Sequence, residues 1–275
     1  MATNPAESYE RYFVPALFAP CAARLVELVQ PRPGDRVLDL ACGTGIVARQ
    51  VVPRVAPGGT VSALDINPLM LEVARAAAQS EGAAIDFHEG DAEHLPFDDG
   101  AFDLVTCQHA FQFFPDHLAV AREITRVLAP GGRVAIATWQ GLDQHPFYER
   151  VDAAMMRRFG ISGVGQIFSL GDADRLRSLL SSAGIEGAAV RPMSITSTFP
   201  DAAAFLAMEI DIDVAAVPSM QRISEGERAA ITAELREEME PALQVYVRDG
   251  AVNMPFEAQL TTGRRGREPA GAKSV

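Results

Sequence analysis

The sequence predicts an α/β protein whose core is a doubly wound, mostly parallel β-sheet. Over the first 140 residues, short apolar runs of strand length alternate with amphipathic segments of helical length. Parallel neighbouring strands require a crossover connection, and helices of this length provide it. A glycine-containing turn of small residues at 41–45 joins the first strand to its helix, as is typical of this fold class. With 48% hydrophobic and 22% charged residues, the composition excludes disordered and collagen-like chains.

The N-terminal arm, residues 1–30, is predicted to be helical but broken. Residues 6–29 carry apolar side chains at helical spacing, and Pro15 and Pro20 interrupt them, so we expect two or three separate pieces. The core follows at 31–140. Asn67 before Pro68 is typical of a helix start. We predict strands at 36–40, 60–65, 84–89, 102–106 and 133–139, and helices at 46–55, 68–80 and 117–128.

The alternation changes after residue 139, which indicates additions to the core. The pattern predicts helices at 143–159, 172–183, 201–213 and 224–240, and strands at 190–199 and 252–262. Ser224 with Glu227 three residues later has the spacing of a capping box. We expect helical insertions at 143–170 and 200–250, a flexible tail at 264–275, and a single domain over 1–275.

The charge balance and the cysteines limit the kind of partner. The net charge of −12, from 24 Lys and Arg against 36 Asp and Glu, disfavours binding to nucleic acid or to an anionic membrane. We therefore expect a small-molecule partner. Cys21, Cys42 and Cys107 make neither a disulfide framework nor a CxxC site, and the histidines do not cluster with acids, so no metal is predicted.

The N-terminal residues bear on location. They lack the basic and apolar regions of a signal peptide, and no stretch approaches 18 consecutive apolar residues. We therefore expect no membrane insertion and a cytoplasmic location.

Polar residues stand at the carboxyl ends of the first four predicted strands: Asp39, Asp65, Asp91 and the pair Gln108-His109. In a doubly wound sheet these ends meet at one edge, where such sheets bind ligands. Gly43 and Gly45 let the backbone turn and let a ligand approach closely. Asp39 has the wrong charge for a phosphate and the right one for an ammonium. Asp65 can accept hydrogen bonds from both hydroxyls of a ribose.

A nicotinamide-dependent oxidoreductase is the main alternative. Gly43, Gly45 and Ala48 satisfy the G-x-G-x-x-G/A spacing of a dinucleotide fold, with Asp65 as its ribose acid. Two features argue against it. Asp39 would lie near a pyrophosphate, and neither Asp91 nor the Leu-Ala-Pro-Gly-Gly turn at 128–132 has a role there.

Four segments in this order resemble the motifs of the class I S-adenosylmethionine-dependent methyltransferases, in particular the branch with the ubiquinone and menaquinone methyltransferases. They are VLDLACGTG (37–45), ALDINPLMLEVAR (63–75), GDAEHLPFDDGAFDLV (90–105) and REITRVLAPGGRVAIATW (122–139). The resemblance covers about residues 30–140. It implies a Rossmann-like, seven-stranded sheet and S-adenosylmethionine as the cofactor.

The resemblance also implies roles for particular residues. Asp39 and the backbone of Ala41 and Gly43 hold the methionine part of the cofactor where Gly45 lets the chain turn, Asp65 binds the ribose, Ile66 packs on the adenine, Asp91 and Ala92 read the adenine edge, and Gln108 lies near the sulfonium.

The acceptor site is expected outside these motifs. His109 is the candidate general base, since a free imidazole titrates near neutral pH. Substrate contacts are expected from Tyr9, Tyr12, Phe13 and Gln112 and from a helical cover formed by 143–170 and 200–250. The sequence thus predicts methyl transfer to an O, C or N atom of a small, fairly apolar molecule, with a homodimer as a possible assembly. A cofactor-binding protein without transferase activity is the third hypothesis.

Overall fold

The computed structural model describes residues 5–162, 164–215 and 223–267. The chain divides into two compact units. Unit 1 comprises Met1–Thr138, Asp172–Met193 and Gln259–Val275, and unit 2 comprises Trp139–Gly171 and Ser194–Ala258. The segments expected to form the helical cover thus fall largely in unit 2, and their role as a cover stays a prediction.

The central sheet confirms the predicted α/β class. Its strands follow the order β3-β2-β1-β4-β5-β8-β6, with the short β7 pairing antiparallel to β8. The first five strands are parallel where they pair, and the order reverses between β1 and β4, which is the position at which doubly wound sheets bind ligands. The strands are β1 (Arg36–Leu40), β2 (Thr60–Asp65), β3 (Asp86–Glu89), β4 (Phe102–Gln108), β5 (Leu128–Trp139), β6 (Ile185–Phe199), β7 (Val247–Arg248) and β8 (Ala251–Arg265).

Nine α-helices occur among the described residues, along with one π-helical and two 3₁₀ segments. The α-helices are α1 (Pro5–Ser8), α2 (Ala19–Val29), α3 (Ile46–Val55), α4 (Pro68–Glu81), α5 (His117–Val127), α6 (Pro146–Phe159), α7 (Ala173–Ser182), α8 (Ala202–Ala215) and α9 (Glu225–Gln244). The π-helix is Tyr9–Phe18, and the 3₁₀ turns are Phe111–Phe113 and Leu142–Gln144.

Local sequence signals explain the ends of several helices. The Asn67 side chain accepts a hydrogen bond from the Leu69 N–H at the start of α4, and Gly82 ends that helix in the left-handed region. The predicted capping box of Ser224 and Glu227 is present at the start of α9. These polar signals act over three or four residues, which is why the sequence reveals them.

The hydrophobic core of unit 1 lies between the sheet and its first helices. Every residue of β1 after Arg36 is buried, as expected for a central parallel strand covered on both faces. The core consists mainly of aliphatic side chains from α2, α3 and the neighbouring strands, among them Ala22, Leu25, Val26, Val47, Val51, Val61 and Leu104.

The N-terminal arm differs from its prediction. It is one continuous helical run, Pro5–Val29, and not two or three pieces. The π-helical turns of Tyr9–Phe18 absorb Pro15: at their end the Ala19 N–H bonds to the Val14 carbonyl, five residues back, so the run continues past the proline. Pro20 stands in the first turn of α2, where a missing N–H costs little.

The same run bears on the membrane prediction. Its length and its mean hydropathy of 1.5 would suffice to cross a membrane, and 39% of the apolar window is buried within the chain. One such run near an N-terminus is weak support for a span, because the core helices of soluble proteins pass the same test.

The C-terminal tail is shorter than predicted. Arg264 and Arg265 belong to β8, and the Arg265 guanidinium donates to the backbone carbonyls of Arg126 and Leu128, at 3.0 and 2.5 Å. The prediction of a tail from 264 is therefore wrong at its start, and residues 268–275 lie outside the described part of the chain. Two other strands begin earlier than predicted, β5 at Leu128 and β6 at Ile185.

Unit 2 has a core of its own, rich in aromatic side chains. His145 is buried with its ring centroid 4.4 Å from that of Phe168 and 6.5 Å from that of Trp139. The His145 Nδ1 lies 3.0 Å from the Gly141 carbonyl, and its Nε2 accepts from the Glu257 N–H at 3.1 Å. These two bonds fix the ring as the neutral tautomer protonated on Nδ1.

Candidate functional site

The turn after β1 needs small residues and left-handed backbone. Ala41, Gly43 and Gly45 have φ angles of +51°, +55° and +82°. A Cβ on Gly45 would meet the Phe87 ring at 3.4 Å and the Ala74 Cβ at 3.5 Å, so this position has little room for a larger side chain. The Cys42 N–H donates to the Leu64 carbonyl at 3.0 Å, which ties the turn to β2.

Asp39 holds three elements together beneath this turn. One carboxylate oxygen accepts from the Ala48 N–H in the first turn of α3 at 3.0 Å, and the other accepts from the Thr106 hydroxyl on β4 at 2.9 Å. Burial, and less strongly the charge of Asp65, raise the pKa of Asp39 to about 7, although both hydrogen bonds favour the ionised form. Sequence reasoning missed Thr106, since only the register of β1 with β4 reveals that partner.

Asp65 joins the turn to the end of β2. Its Oδ2 accepts from the Gly43 N–H at 2.7 Å and its Oδ1 from the Asn67 N–H at 2.8 Å. A carboxylate oxygen has two lone pairs, so each oxygen can still accept one hydroxyl. The geometry is therefore compatible with the predicted ribose role.

The predicted adenine-binding residues lie beside Asp65. The Gly90 N–H donates to the Asp65 carbonyl at 3.1 Å, which brings Asp91 and Ala92 next to this site. Asp91 is exposed and its carboxylate accepts from the Glu93 N–H at 2.9 Å, whereas Ala92 is buried. Ile66 is 69% exposed, which is unusual for an isoleucine and leaves an apolar surface free beside the turn.

The 91–100 loop is fixed by an arginine that sequence reasoning missed. Arg126 of α5 donates to the carbonyls of Leu95 at 2.9 Å and Phe97 at 2.7 Å, and it also pairs with Asp99 and Glu123. The hydrogen bond from Arg126 lowers the pKa of Glu123, whose carboxylate accepts from the Leu95 N–H at 2.8 Å. The loop that carries the predicted adenine-binding residues Asp91 and Ala92 is thereby attached to α5.

A cavity of about 80 Å³ opens at the carboxyl ends of β1 and β4, within unit 1. Two acceptor atoms in its walls, the Thr44 hydroxyl oxygen and the Gln108 Oε1, are buried with no hydrogen-bond partner among the described residues. The Gln108 Nε2 donates to the Phe18 carbonyl at 3.0 Å, which fixes the amide orientation. The lining consists of Tyr9, Asp39, Ala41, Cys42, Gly43, Thr44, Ile46, Val47, Gln108, His109 and Ala110.

The surroundings of His109 contradict the near-neutral pKa that its predicted role as a general base assumes. The residue is buried with φ +52°, and its backbone N–H donates to the Ala137 carbonyl at 2.8 Å. Burial lowers the pKa of His109 to about 3, so the imidazole is neutral at physiological pH and a weak base. Its participation in catalysis stays a prediction.

The four predicted substrate residues differ in their surroundings. Tyr9 lines the cavity and its ring stacks on Phe18 with the centroids 5.0 Å apart. Phe13 lies 6.1 Å from Tyr9, between ring centroids, and Tyr12 is 46% exposed. Gln112 is buried and its amide donates to the His109 carbonyl at 2.9 Å. Of the four, only Tyr9 belongs to the cavity lining.

The comparisons with known proteins agree with this geometry. Residues 38–136 match the family described as a methyltransferase domain. Demethylmenaquinone methyltransferase of Thermus thermophilus is 41% identical over 135 residues, which is 46% of this chain and 61% of that protein. Over this part, the chain is similar to the class I S-adenosylmethionine-dependent methyltransferases of the quinone methyltransferase-like kind. The predicted resemblance is thereby confirmed, and S-adenosylmethionine is the cofactor of this family.

Two further likenesses define how far the match extends. Nocamycin O-methyltransferase of Saccharothrix syringae is 41% identical over 120 residues, 43% of this chain and 43% of that enzyme. The chain thus spans about half the length of the curated relatives it matches. The solved structure of YcgJ from Bacillus subtilis, 21% identical, superposes with a TM-score of 0.59 over 90% of this chain and 98% of its own, which supports the fold.

Proposed function

We propose that this chain transfers a methyl group from S-adenosylmethionine to an O, C or N atom of a small, fairly apolar molecule. The observation that carries the proposal is the charge of the cleft. Among the residues that the structure describes, its lining includes the Asp39 carboxylate and two unpartnered acceptor atoms, and it includes neither lysine nor arginine. Such walls suit a ligand with a cationic ammonium and sulfonium and disfavour the pyrophosphate of a nicotinamide dinucleotide.

The roles of the binding residues follow from their partners. Asp65 accepts the two ribose hydroxyls with the lone pairs that Gly43 and Asn67 leave over, since it is already oriented by their N–H groups. The exposed side chain of Ile66 packs on the face of the adenine. The carboxylate of Asp91 and the backbone amide of Ala92 bind the edge of the adenine. At the cationic end, Asp39, Ala41, Gly43 and Gln108 line the cavity, with Gly45 closing the turn behind them.

The chain's contribution to the reaction is positioning. When bound, S-adenosylmethionine supplies an electrophilic methyl carbon on a good leaving group. Holding an acceptor in line with that carbon, away from water, contributes on the order of 7 to 11 kcal/mol in well-oriented systems. The buried, neutral His109 favours acceptors that need no strong base, such as an ionised phenol or enol or a neutral amine.

The remaining parts of the proposal concern the acceptor and the setting. The helical segments 143–170 and 200–250 are the proposed acceptor-binding cover. Tyr9, Tyr12, Phe13 and Gln112 are the proposed acceptor contacts. The names of two relatives are demethylmenaquinone methyltransferase and nocamycin O-methyltransferase, which makes demethylmenaquinone-like quinols and compounds related to nocamycin the first acceptors to assay. We also propose a cytoplasmic location and a homodimer as the possible assembly.

Two measurements test the function. In calorimetric titration, S-adenosylhomocysteine should bind with micromolar affinity and NAD⁺ should not bind; the reverse would reject the proposal in favour of the oxidoreductase. The second uses S-adenosylmethionine with a deuterated methyl group and a panel of phenols, quinols and amines. Mass spectrometry should find the labelled methyl on at least one acceptor, and binding without transfer to any of them would favour a non-catalytic protein.

A further inference from the structure

Thr106 of β4 lies directly opposite Asp39 of β1, next to the cavity at the carboxyl ends of these strands. The register pairs the two residues across the parallel strands, so their side chains project from the same face of the sheet. The Thr106 hydroxyl donates to the Asp39 Oδ1 at 2.9 Å. Because Thr106 is fully buried, water cannot take the place of this hydroxyl.

The Asp39 carboxylate is held at both of its oxygens. Oδ1 accepts from Thr106, and Oδ2 accepts from the Ala48 N–H at 3.0 Å. A carboxylate oxygen has two lone pairs, so each oxygen can accept one further hydrogen bond. Asp39 also belongs to the lining of the cavity. The two internal bonds therefore orient the carboxylate and leave lone pairs for a ligand with an ammonium group.

The Thr106 hydroxyl favours one charge state of Asp39. Burial raises the pKa of Asp39 to about 7 and thus opposes the ionised form that can bind an ammonium. Of the contacts that lower this pKa, the hydrogen bond from Thr106 has the largest effect, followed by that from the Ala48 N–H. The other acceptor near the hydroxyl, the Leu38 carbonyl, is farther away at 3.4 Å. Since hydrogen bonds to ionised acceptors are the stronger ones, the hydroxyl stabilises the carboxylate.

The other titratable groups around Asp39 differ from it in the pH at which they change charge. Four of them keep one charge state between pH 6 and 8: Cys42, Cys107, Tyr9 and His109. Burial raises the pKa of both thiols and of the phenol above this range and lowers that of the imidazole to about 3. On α3, the Arg49 guanidinium is charged throughout. Asp65, whose charge also raises the pKa of Asp39, is present in every variant below.

We propose that Thr106 is a positioning residue for cofactor binding, whose hydroxyl keeps the Asp39 carboxylate ionised and oriented to receive the ammonium group of S-adenosylmethionine. The proposal rests on the function proposed above. Where Asp39 is protonated, its proton must leave to solvent before the ammonium can bind, so affinity falls as the pH falls. Without the hydroxyl, a larger fraction of Asp39 carries that proton, and the loss of affinity is greatest at low pH.

Calorimetric titration of the full chain with S-adenosylhomocysteine, which carries the same ammonium group, tests the proposal between pH 6 and 8. The wild-type Kd should fall about tenfold over this range, because a carboxyl with a pKa of about 7 changes from mostly protonated to mostly ionised. Thr106→Val replaces the hydroxyl by a methyl group and should raise Kd at least threefold at pH 7. The ratio of its Kd to that of wild type should decrease from pH 6 to pH 8. Thr106→Ser should restore the wild-type profile.

Thr138→Val is the matched control. Thr138 of β5 is also fully buried, and its hydroxyl accepts from the Gln259 side-chain amide at 3.1 Å. The substitution is the same, but the partner is a neutral amide, so Kd should stay within a factor of about 1.5 of wild type at every pH. Thr106→Ala lacks the same hydroxyl and takes the place of Thr106→Val if circular dichroism shows that the valine variant is not folded.

Two outcomes would overturn the role of Thr106 while the proposed function stands. One is a constant ratio of the Thr106→Val and wild-type Kd values from pH 6 to 8, because a loss of packing does not depend on pH. The other is a wild-type Kd that does not change with pH over this range. Binding of S-adenosylhomocysteine to none of the proteins would reject the proposed function, and the role of Thr106 with it.

Discussion

His109 and His145 are both buried, and their surroundings differ as the two units of the chain differ. His145 in unit 2 is bonded to backbone through both ring nitrogens and packs among Trp139 and Phe168. His109 in unit 1 stands on a left-handed turn at the wall of a cavity. Unit 1 uses its polar groups to shape an open cleft, whereas unit 2 uses them to hold a packed core. The cofactor site that we propose therefore lies in unit 1, and we expect the stability of unit 2 to depend on a neutral His145.

The largest effect is expected from Asp39, because two elements of unit 1 bond to its carboxylate. Asp39→Ala removes the acceptors of the Ala48 N–H and the Thr106 hydroxyl. Leaving a buried hydrogen-bonding group without a partner costs about 1–3 kcal/mol, and two groups lose theirs, so we expect a loss of about 3–4 kcal/mol in the free energy of unfolding. Urea denaturation measures it. Asp86→Ala, at an exposed carboxylate on β3, should stay within about 0.5 kcal/mol.

The raised pKa of Asp39 gives a separate pH test. Its folded-state value of about 7 exceeds the value of about 3.9 in an unfolded chain. The contribution of the protonated Asp39 carboxyl to the free energy of unfolding is therefore complete below about pH 4 and is lost as the pH rises through 7. Asp39→Asn cannot ionise, so its stability relative to wild type should rise between pH 4 and 7. A constant difference would show that folding does not raise the pKa of Asp39.

Arg126 comes next, since it anchors the loop proposed to read the adenine. Arg126→Gln removes the bonds to the Leu95 and Phe97 carbonyls and should cost about 2–3 kcal/mol of unfolding free energy. Hydrogen exchange of residues 91–100 should accelerate. The control is Arg177→Gln, which breaks an exposed pair with Asp174 and should cost less than about 0.5 kcal/mol. Equal losses in the two variants would refute the anchoring role.

Asp65 tests the cleft directly. Asp65→Ala removes the carboxylate proposed to bind the ribose and should weaken S-adenosylhomocysteine binding by about 1–3 kcal/mol, that is, roughly 5-fold to 150-fold in Kd. Calorimetry measures it, with Asp86→Ala as the unaffected control. Unchanged affinity would remove Asp65 from the site.

Much of unit 1 could be predicted from the sequence, because its signals are local. The turn with Gly43 and Gly45, the Asn67 cap and the alternation of strands and helices are visible within a few residues. The ion pairs of the buried Arg49 with Glu81 and Glu10 could not be predicted, since these partners are 32 and 39 residues away in the chain. The expectation of a near-neutral pKa for His109 was wrong for the same reason, because the burial of its ring depends on residues that are distant in the chain.

The smallest effect is expected in unit 2, from His145. Burial lowers its pKa, so protonation opposes folding: its contribution is complete above the unfolded value of about 6.5 and is lost as the pH falls below it. His145→Asn should lose about 1 kcal/mol at pH 7.5 and show a weaker pH dependence from 7 to 5 than wild type. The fluorescence of Trp139, the one tryptophan, reports on this unit. An identical pH dependence would show that other groups control it.

A crystal structure with S-adenosylhomocysteine tests the central claim most directly, namely that the carboxyl ends of β1, β2 and β3 bind one cofactor. The account predicts ribose hydroxyls within hydrogen-bond distance of Asp65, the adenine beside Ile66 and Ala92, and the amino group near Asp39. A ligand bound elsewhere, or a ribose that does not contact Asp65, would contradict it.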